Sequence, residues 1–229
     1  MRSCLHVFLF FCIVTLASCE EEIEPIQVAN EKDFQPLVLG NFWVYEVDET
    51  IYFGENDAES SKFFYRDRVR SSYVNAEREI VFIVERSKST DRKIWSKVLE
   101  YTLQMKDNAL VRTVNNQAVM TLNFPLELGK KWNGNAYRAN EADEFEIDSV
   151  ATETTEGKTR IQVARVNQEE LDDKITQRDI RYEIYERGIG LLEKYDEVLT
   201  YCSRNNCLGL EVINGGFRIK MNLLEYEVR

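Results

Sequence analysis

The chain has 229 residues, with 40 Asp or Glu against 29 Lys or Arg and a formal charge of −11. Such an acidic chain is ill suited to nucleic acid, whose binding depends on neutralising phosphates, and its folded part is equally ill suited to adhere to an anionic membrane surface. One histidine and five cysteines leave little material for metal or nucleophilic chemistry.

The N-terminus opens Met1-Arg2-Ser3, one positive charge and no acid, followed by the almost wholly apolar run Leu5 to Ala17. That run is short of the roughly 20 apolar residues a transmembrane helix needs, and it matches the about 7–15 residues of a secretory h-region. The small residues Ala17-Ser18 come next, then Cys19 and the acids Glu20, Glu21, Glu22 and Glu24.

Leu16-Ala17-Ser18-Cys19 resembles the lipobox of bacterial lipoprotein precursors at every position. The resemblance implies cleavage after Ser18, acylation of Cys19 and attachment to the cell envelope through that residue. Several acyl chains on one residue anchor stably, since each buried methylene contributes about 0.8 kcal/mol. The alternative is an ordinary signal peptide with an incidental cysteine. The acidic run resembles the export signal of surface lipoproteins in Bacteroidetes-type bacteria, which implies an outer-membrane anchor and display at the cell surface; the alternative is a solvated tether that stays facing the periplasm. The expected organisation is therefore a signal peptide over 1–18, the lipidated cysteine and acidic tether over 19–32, and one β domain over 33–229.

Cleavage would remove His6, Cys4 and Cys12. A mature domain without histidine has no Ser-His-Asp or Cys-His catalysis, no histidine metal site and no histidine pH switch. With Cys19 acylated, Cys202 and Cys207 remain, in Y-C-S-R-N-N-C-L. In an exported protein they are expected to join each other, and their spacing fits neither a C-x-x-C redox pair nor a zinc site.

From Asn41 onward the pattern alternates with period 2, the mark of half-buried antiparallel strands. Trp43, Tyr45, Val47, Ile51 and Phe53 share one face; Trp95, Leu99, Tyr101, Leu103 and Met105 share another; F-E-I-D-S-V and R-I-Q-V-A-R-V continue the alternation; Ile180, Tyr182 and Ile184 fall together. Turns are expected at Asn75-Ala76, Asp107-Asn108, Asn115-Asn116, Glu156-Gly157 and Asn214-Gly215-Gly216. Short helix or loop is expected at Glu31–Leu37 and Gln168–Lys174. The predicted fold is all-β, a single antiparallel meander of about ten or eleven strands forming a curled sheet or barrel, with a two-sheet sandwich as the alternative.

One internal echo stands out. P-L-V-L-G-N-F-W, from Pro36 to Trp43, returns as P-L-E-L-G-K-K-W, from Pro125 to Trp132. Both resemble the Pro-Leu-x-x-Gly-x-x-Trp element of small β-rich bacterial lipoproteins, and G-I-G-L-L-E-K-Y from Gly188 resembles a later Gly-x-Gly strand of that group; no single activity comes with the resemblance. Pro and Gly set a tight bend, Leu37 and Leu39 are expected to plug one end of the core, and each tryptophan to start a strand facing inward. A pair of exposed sugar-stacking tryptophans is the functional alternative.

Among 40 carboxylates, pairs such as Glu144/Glu146 or Asp172/Asp173 are inevitable and say little. The acidic loop Glu55 to Glu59 lacks the spacing and glycine of an EF-hand. Arg66, Arg68 and Arg70 alternate on one strand face and are expected to be solvated and paired with acids on a neighbour. Gly188-x-Gly190 opens no helix, so it is no nucleotide loop. The expectation is a membrane-anchored, non-catalytic binding or scaffolding β domain without catalytic residues, metal or cofactor, whose partner is an unknown protein, glycan or lipid. The alternatives are a carrier of a hydrophobic ligand in a lipocalin-like barrel and a carboxylate-dependent glycan hydrolase, which needs two carboxylates about 5–10 Å apart.

Overall fold

The computed structural model describes residues 32–229 except 56 and 156. The expectations for 1–31, including Cys19, lie outside the described residues.

Twelve antiparallel strands form one sheet: β1 (Phe42–Gly54), β2 (Asp57–Val74), β3 (Ile80–Ser89), β4 (Ser96–Lys106), β5 (Ala109–Val114), β6 (Gln117–Asn123), β7 (Lys131–Asn133), β8 (Glu144–Thr155), β9 (Lys158–Asp172), β10 (Gln177–Glu186), β11 (Gly190–Tyr201) and β12 (Ile213–Glu227). The order is β6-β5-β4-β3-β2-β1-β12-β11-β10-β9-β8-β7. Every strand pairs with its neighbour in sequence except β6 and β7, and β1 pairs with β12. At the β6/β7 seam the Met120 amide donates to the Gly134 carbonyl at 2.9 Å and Trp132 Nε1 donates to the Met120 carbonyl at 2.9 Å. These two bonds bring the edges together, so the curled sheet is a nearly closed barrel, which protects both edges. The described residues contain no helix, and the sandwich alternative does not apply. The stretch 168–172, expected as loop or short helix, is the end of β9.

The inward face of β1 carries Trp43, Tyr45 and Val47, and register places Phe63, Tyr65 and Asp67 of β2 and Met221 of β12 beside them. The apolar residues among them join Leu103, Leu110, Leu122, Phe145, Ile147 and Val166 in one core cluster inside the barrel. The outward wall carries charge: Asp48, Lys62 and Lys220 lie in register on adjacent strands. Such a wall does not face lipid, where a charge at mid-depth costs about 2–4 kcal/mol.

The sequence echo is a structural repeat. Asn41 N donates to Val38 O at 3.1 Å and Lys130 N to Glu127 O at 3.0 Å, closing the same turn twice. Gly40 and Gly129 sit at φ +94° and +79°, and their amides donate to Val69 O and Ile147 O on the neighbouring strand. Trp43 and Trp132 are both buried. Leu37 and Leu126 pack on the core, but Leu39 is 52% exposed and Leu128 64%. The turn puts that fourth position at its outer tip, so the expectation for Leu39 was wrong; Phe34, fully buried, closes this end instead.

Three further expectations change. Ile51 and Phe53 share the inward face with Trp43 but stand at the barrel mouth, where Phe53 is 61% exposed. Trp95 precedes β4 and lies on the outer wall, its ring under the Arg66 guanidinium at 4.7 Å and its Nε1 bonded to Arg92 O at 3.1 Å. Asp91 Oδ1 turns the chain there by accepting the Lys93 amide at 2.9 Å. Asn214-Gly215-Gly216 is not a turn but the first part of β12, with Gly216 opposite Tyr52 and Leu199. Gly216 has φ +129°, and a Cβ there would stand 2.1 Å from the Val198 carbonyl oxygen. Gly216→Ala should therefore part β11 from β12 or unfold the domain, read as a large fall in the denaturation midpoint; a variant as stable as the parent would refute this close approach.

Candidate functional site

Charged side chains are set into the core: Glu183 lies in register with Val166 and Lys194, and Lys194 with Met221. β10 is out of step with β9 between Arg181 and Tyr182, and with β11 between Ile184 and Tyr185. The extra residues are Gln168 of β9 and Leu192 of β11, so β10 itself alternates unbroken: Arg181, Glu183 and Tyr185 face inward, while Ile180, Tyr182 and Ile184, expected to form the buried face, point outward. Tyr182 stacks there on Tyr195 at 5.3 Å between ring centroids, with Arg165 over its ring at 4.2 Å.

Glu183 is completely buried. Arg112 of β5 reaches it across the barrel, Lys194 of β11 donates to it at 3.2 Å, and the Tyr185 hydroxyl donates at 2.5 Å. Burial by itself would raise the carboxyl pKa, but the Arg112 and Lys194 charges with the Tyr185 and Arg112 hydrogen bonds outweigh it and hold it at about 2. Burial opposes the charge of Arg112, and Glu183 overcomes that opposition, so the guanidinium is held more firmly protonated than usual.

A second buried pair lies on the neighbouring strands. Arg86 grips Asp67 with two hydrogen bonds, 2.7 and 2.6 Å, and the Tyr101 hydroxyl adds a third at 3.0 Å. Arg86 also covers the Tyr65 ring at 4.7 Å. Burial, then the negative charge of Asp67, pushes the Tyr101 phenol well above its ordinary range.

Above Glu183 the interior opens into a cleft of about 220 Å³, lined by Arg112, Arg138, Arg181, Lys194, Asp143, Asp196 and Gln168, with Val119, Phe145, Val198 and Phe217 as apolar wall. Lys194 contacts Asp196 at 2.9 Å; Arg181 contacts Asp179 at 2.7 Å and Asp143 at 3.4 Å. Arg138, in the loop between β7 and β8, has no carboxylate among the described residues. Its Nε, at 2.6 Å, and its Nη2 both donate to Asn135 Oδ1, and its Nη1 donates to Gln117 Oε1 at 3.0 Å. Gln168 is 5% exposed, and its Nε2 has no acceptor.

The residues singled out in the sequence lie elsewhere. Cys202 and Cys207 are bonded to each other in the loop between β11 and β12. Among the described residues, only Arg70 of the alternating arginines on the outer wall meets an acid, Glu85 at 3.8 Å. Arg66 and Arg68 line a broad outer groove of about 710 Å³ with Trp95, Arg92 and Glu225. Glu144 and Glu146 share Lys131, at 2.8 and 3.4 Å. Asp172 pairs with Arg178 at 3.2 Å. Asp173 closes the turn into β10: it accepts the Gln177, Thr176 and Ile175 amides and the Thr176 hydroxyl, which hold its carboxyl far below the usual range. Among the described residues no group of three or more His, Cys, Asp or Glu could hold a metal ion.

No protein-family model matches the chain, and neither does any curated protein. The solved structures similar to it include the following two. One, from Bacteroides fragilis, is described as an exported protein with a YmcC-like fold; it is 11% identical, with a TM-score of 0.44, over 85% of this chain and 98% of its own. The other, from Parabacteroides distasonis, is described as a lipoprotein; it is 12% identical, with a TM-score of 0.41, over 85% of this chain and 98% of its own.

Proposed function

We propose that the chain is an envelope lipoprotein, anchored to the outer membrane through acyl chains on Cys19, and that its barrel is a non-catalytic binding or scaffolding domain. The lipobox supports the anchor, and the charged outer wall supports a barrel that stands in water beside the membrane. The observation that carries the non-catalytic reading is the state of the buried acids. A general acid needs a carboxyl pKa raised toward the working pH; Glu183 is held at about 2 by fixed cations, and Asp67 is gripped by Arg86 and Tyr101. Asp143 and Asp196 at the cleft are each engaged by a cation as well, which speaks against the glycan hydrolase. The interior cleft is lined by charge, which speaks against a carrier of wholly apolar ligands.

Two measurements test the proposal. Cys19→Ala should release the protein from the membrane fraction, and the mature wild-type N-terminus should have the mass of an acylated cysteine; an unmodified Cys19 overturns the anchor. Turnover of any envelope glycan by the purified protein that survives Asp143→Asn and Asp196→Asn would still count against a non-catalytic role.

A further inference from the structure

We infer that the cleft above Glu183 is a binding site for one small carboxylate-bearing molecule about the size of a single sugar ring, held by Arg138 and Gln168. This deepens the binding-domain reading and rests on it. Three observations carry it.

The first is the charge around the space. Four cations line the cleft against two carboxylates. The remaining acids that balance them, Glu183 and Asp179, lie outside its lining, so the surface offered to a ligand is donor-rich. The second is the pairing within it. Arg112, Arg181 and Lys194 each contact a carboxylate, but Arg138 is bound only to the amide oxygens of Asn135 and Gln117. A guanidinium has five N–H groups in a planar fork that suits a carboxylate; the bonds to Asn135 and Gln117 engage all three nitrogens and leave one N–H each on Nη1 and Nη2.

The third is Gln168. Its side chain is buried at the cleft and its Nε2 lacks an acceptor. A buried donor without a partner costs about 1–3 kcal/mol, a cost that a ligand oxygen would remove. Its position is fixed by β9, on a wall built by strands on either side of the barrel seam. The volume limits the ligand further. About 220 Å³ is below the roughly 300–1,000 Å³ of sites for drug-sized molecules, so one ring or a short acid fits and a lipid chain does not. Phe217 and Val198 give the ring an apolar side to rest on.

A carboxylate of this size could be a free organic acid or an acidic sugar of a glycan, and the test separates the two. The full-length protein, purified in detergent, is titrated calorimetrically with succinate, with glucuronate and with glucose at matched ionic strength. Binding of succinate and glucuronate alike assigns a free-acid site; binding of glucuronate alone assigns an acidic sugar; glucose should bind at least tenfold more weakly than the better acid. Arg138→Gln should weaken the bound acid tenfold or more. Gln168→Leu should weaken it about fivefold while leaving the melting temperature of the free protein unchanged or higher, since the orphan donor is gone. No binding of either acid, equal binding of glucose, or unchanged affinity in both variants overturns the site. A Gln168→Leu variant that melts lower and binds normally would make the amide a water-satisfied structural group and overturn it as well. Failure of this site with retention of a ligand elsewhere on the barrel refutes the cleft and leaves the binding-domain reading standing.

Discussion

Glu183→Ala is expected to destabilise the barrel by about 3–5 kcal/mol at neutral pH, the usual cost of removing one partner from a buried ion cluster. The size follows from what stays behind. Arg112 and Lys194 are fixed on β5 and β11, on opposite walls, and both have their charge directed at the same carboxylate. Without it, Arg112 loses its carboxylate and Lys194 keeps only Asp196, in an interior that also excludes the Tyr185 hydroxyl from water. Glu183→Gln keeps the shape and part of the hydrogen bonding, so it should cost less than the alanine variant and still leave the Arg112 charge unmatched. The cluster also sets a direction with pH. The folded carboxyl lies at about 2 against 4.5 for an unperturbed glutamate. A group depressed in the folded state contributes stability that is fully present above the unfolded value and is lost as pH falls through the folded one. The contribution should therefore hold above about pH 4.5 and fade between there and pH 2. Urea denaturation across that window should fall less steeply for Glu183→Gln than for the parent. Equal slopes, or a Glu183→Ala variant within 1 kcal/mol of the parent at pH 7, would show that the cluster contributes nothing net.

The same residue marks the limit of what the pattern of the chain could convey. Period-2 alternation made the all-β class, the antiparallel meander and the inward start of β1 legible, because a strand with one wet face must alternate. R-D-I-R-Y-E-I-Y alternates just as cleanly, and its apolar set Ile180, Tyr182 and Ile184 faces out. The one-residue irregularities beside β10 lie on its neighbours, at Gln168 of β9 and Leu192 of β11, so β10 alternates unbroken and the question is only which of its two sets the barrel turns inward. No residue within the octet encodes that choice: the inward Glu183 is matched by Arg112 on the far wall, 71 positions away in sequence. The cleft was hidden for the same reason. Arg138, Gln168, Arg181 and Lys194 are ordinary surface residue types, and only closure of the barrel brings them together. The turn expected at Asn214-Gly215-Gly216 failed for a different reason. Glycine there answers to the approach of the Val198 carbonyl, not to a reversal of the chain. The Pro-Leu-x-x-Gly-x-x-Trp echo was legible as a repeated bend because its hydrogen bonds are local. Which of its leucines goes inward depends on the tip of that bend, and the period-2 rule does not apply there.

Trp43→Ala should cost about 3–5 kcal/mol, the range for deleting a large buried aromatic, and lower the melting temperature by roughly 10 °C in a domain of this size. Trp43 joins the two ends of the chain's architecture. Its ring packs among Phe34, Tyr45 and Leu191 in the core cluster, and its Nε1 donates to the Ile189 carbonyl at 2.6 Å. Ile189 lies between Gly188, whose amide donates to Asp33 O at 2.6 Å, and Gly190. Gly190 sits at φ +114°, and a Cβ there would approach Trp43 Nε1 and Gln35 to 3.2 and 3.1 Å. The Gly-x-Gly of β11 is thus shaped by the tryptophan of β1, and the segment around Phe34 is held by both. Removing the indole opens a cavity, leaves the Ile189 carbonyl without its donor and loosens Phe34 from the end of the barrel. Trp132→Ala removes the equivalent ring at the seam, where its indole bonds Met120 O, so its damage should centre on β6 and β7. Hydrogen exchange separates the two: Trp43→Ala should deprotect amides around 33–35 and 188–190, and Trp132→Ala those around 120 and 134. Fluorescence gives an independent reading, because Trp43 is buried and Trp95 lies on the outer wall. The parent emission should contain a blue-shifted, poorly quenched component that Trp43→Ala diminishes. If Trp43→Ala melts within 2 °C of the parent, or if its exchange is accelerated only at the seam, the tryptophan does not couple β1 to the Gly-x-Gly turn as these contacts require.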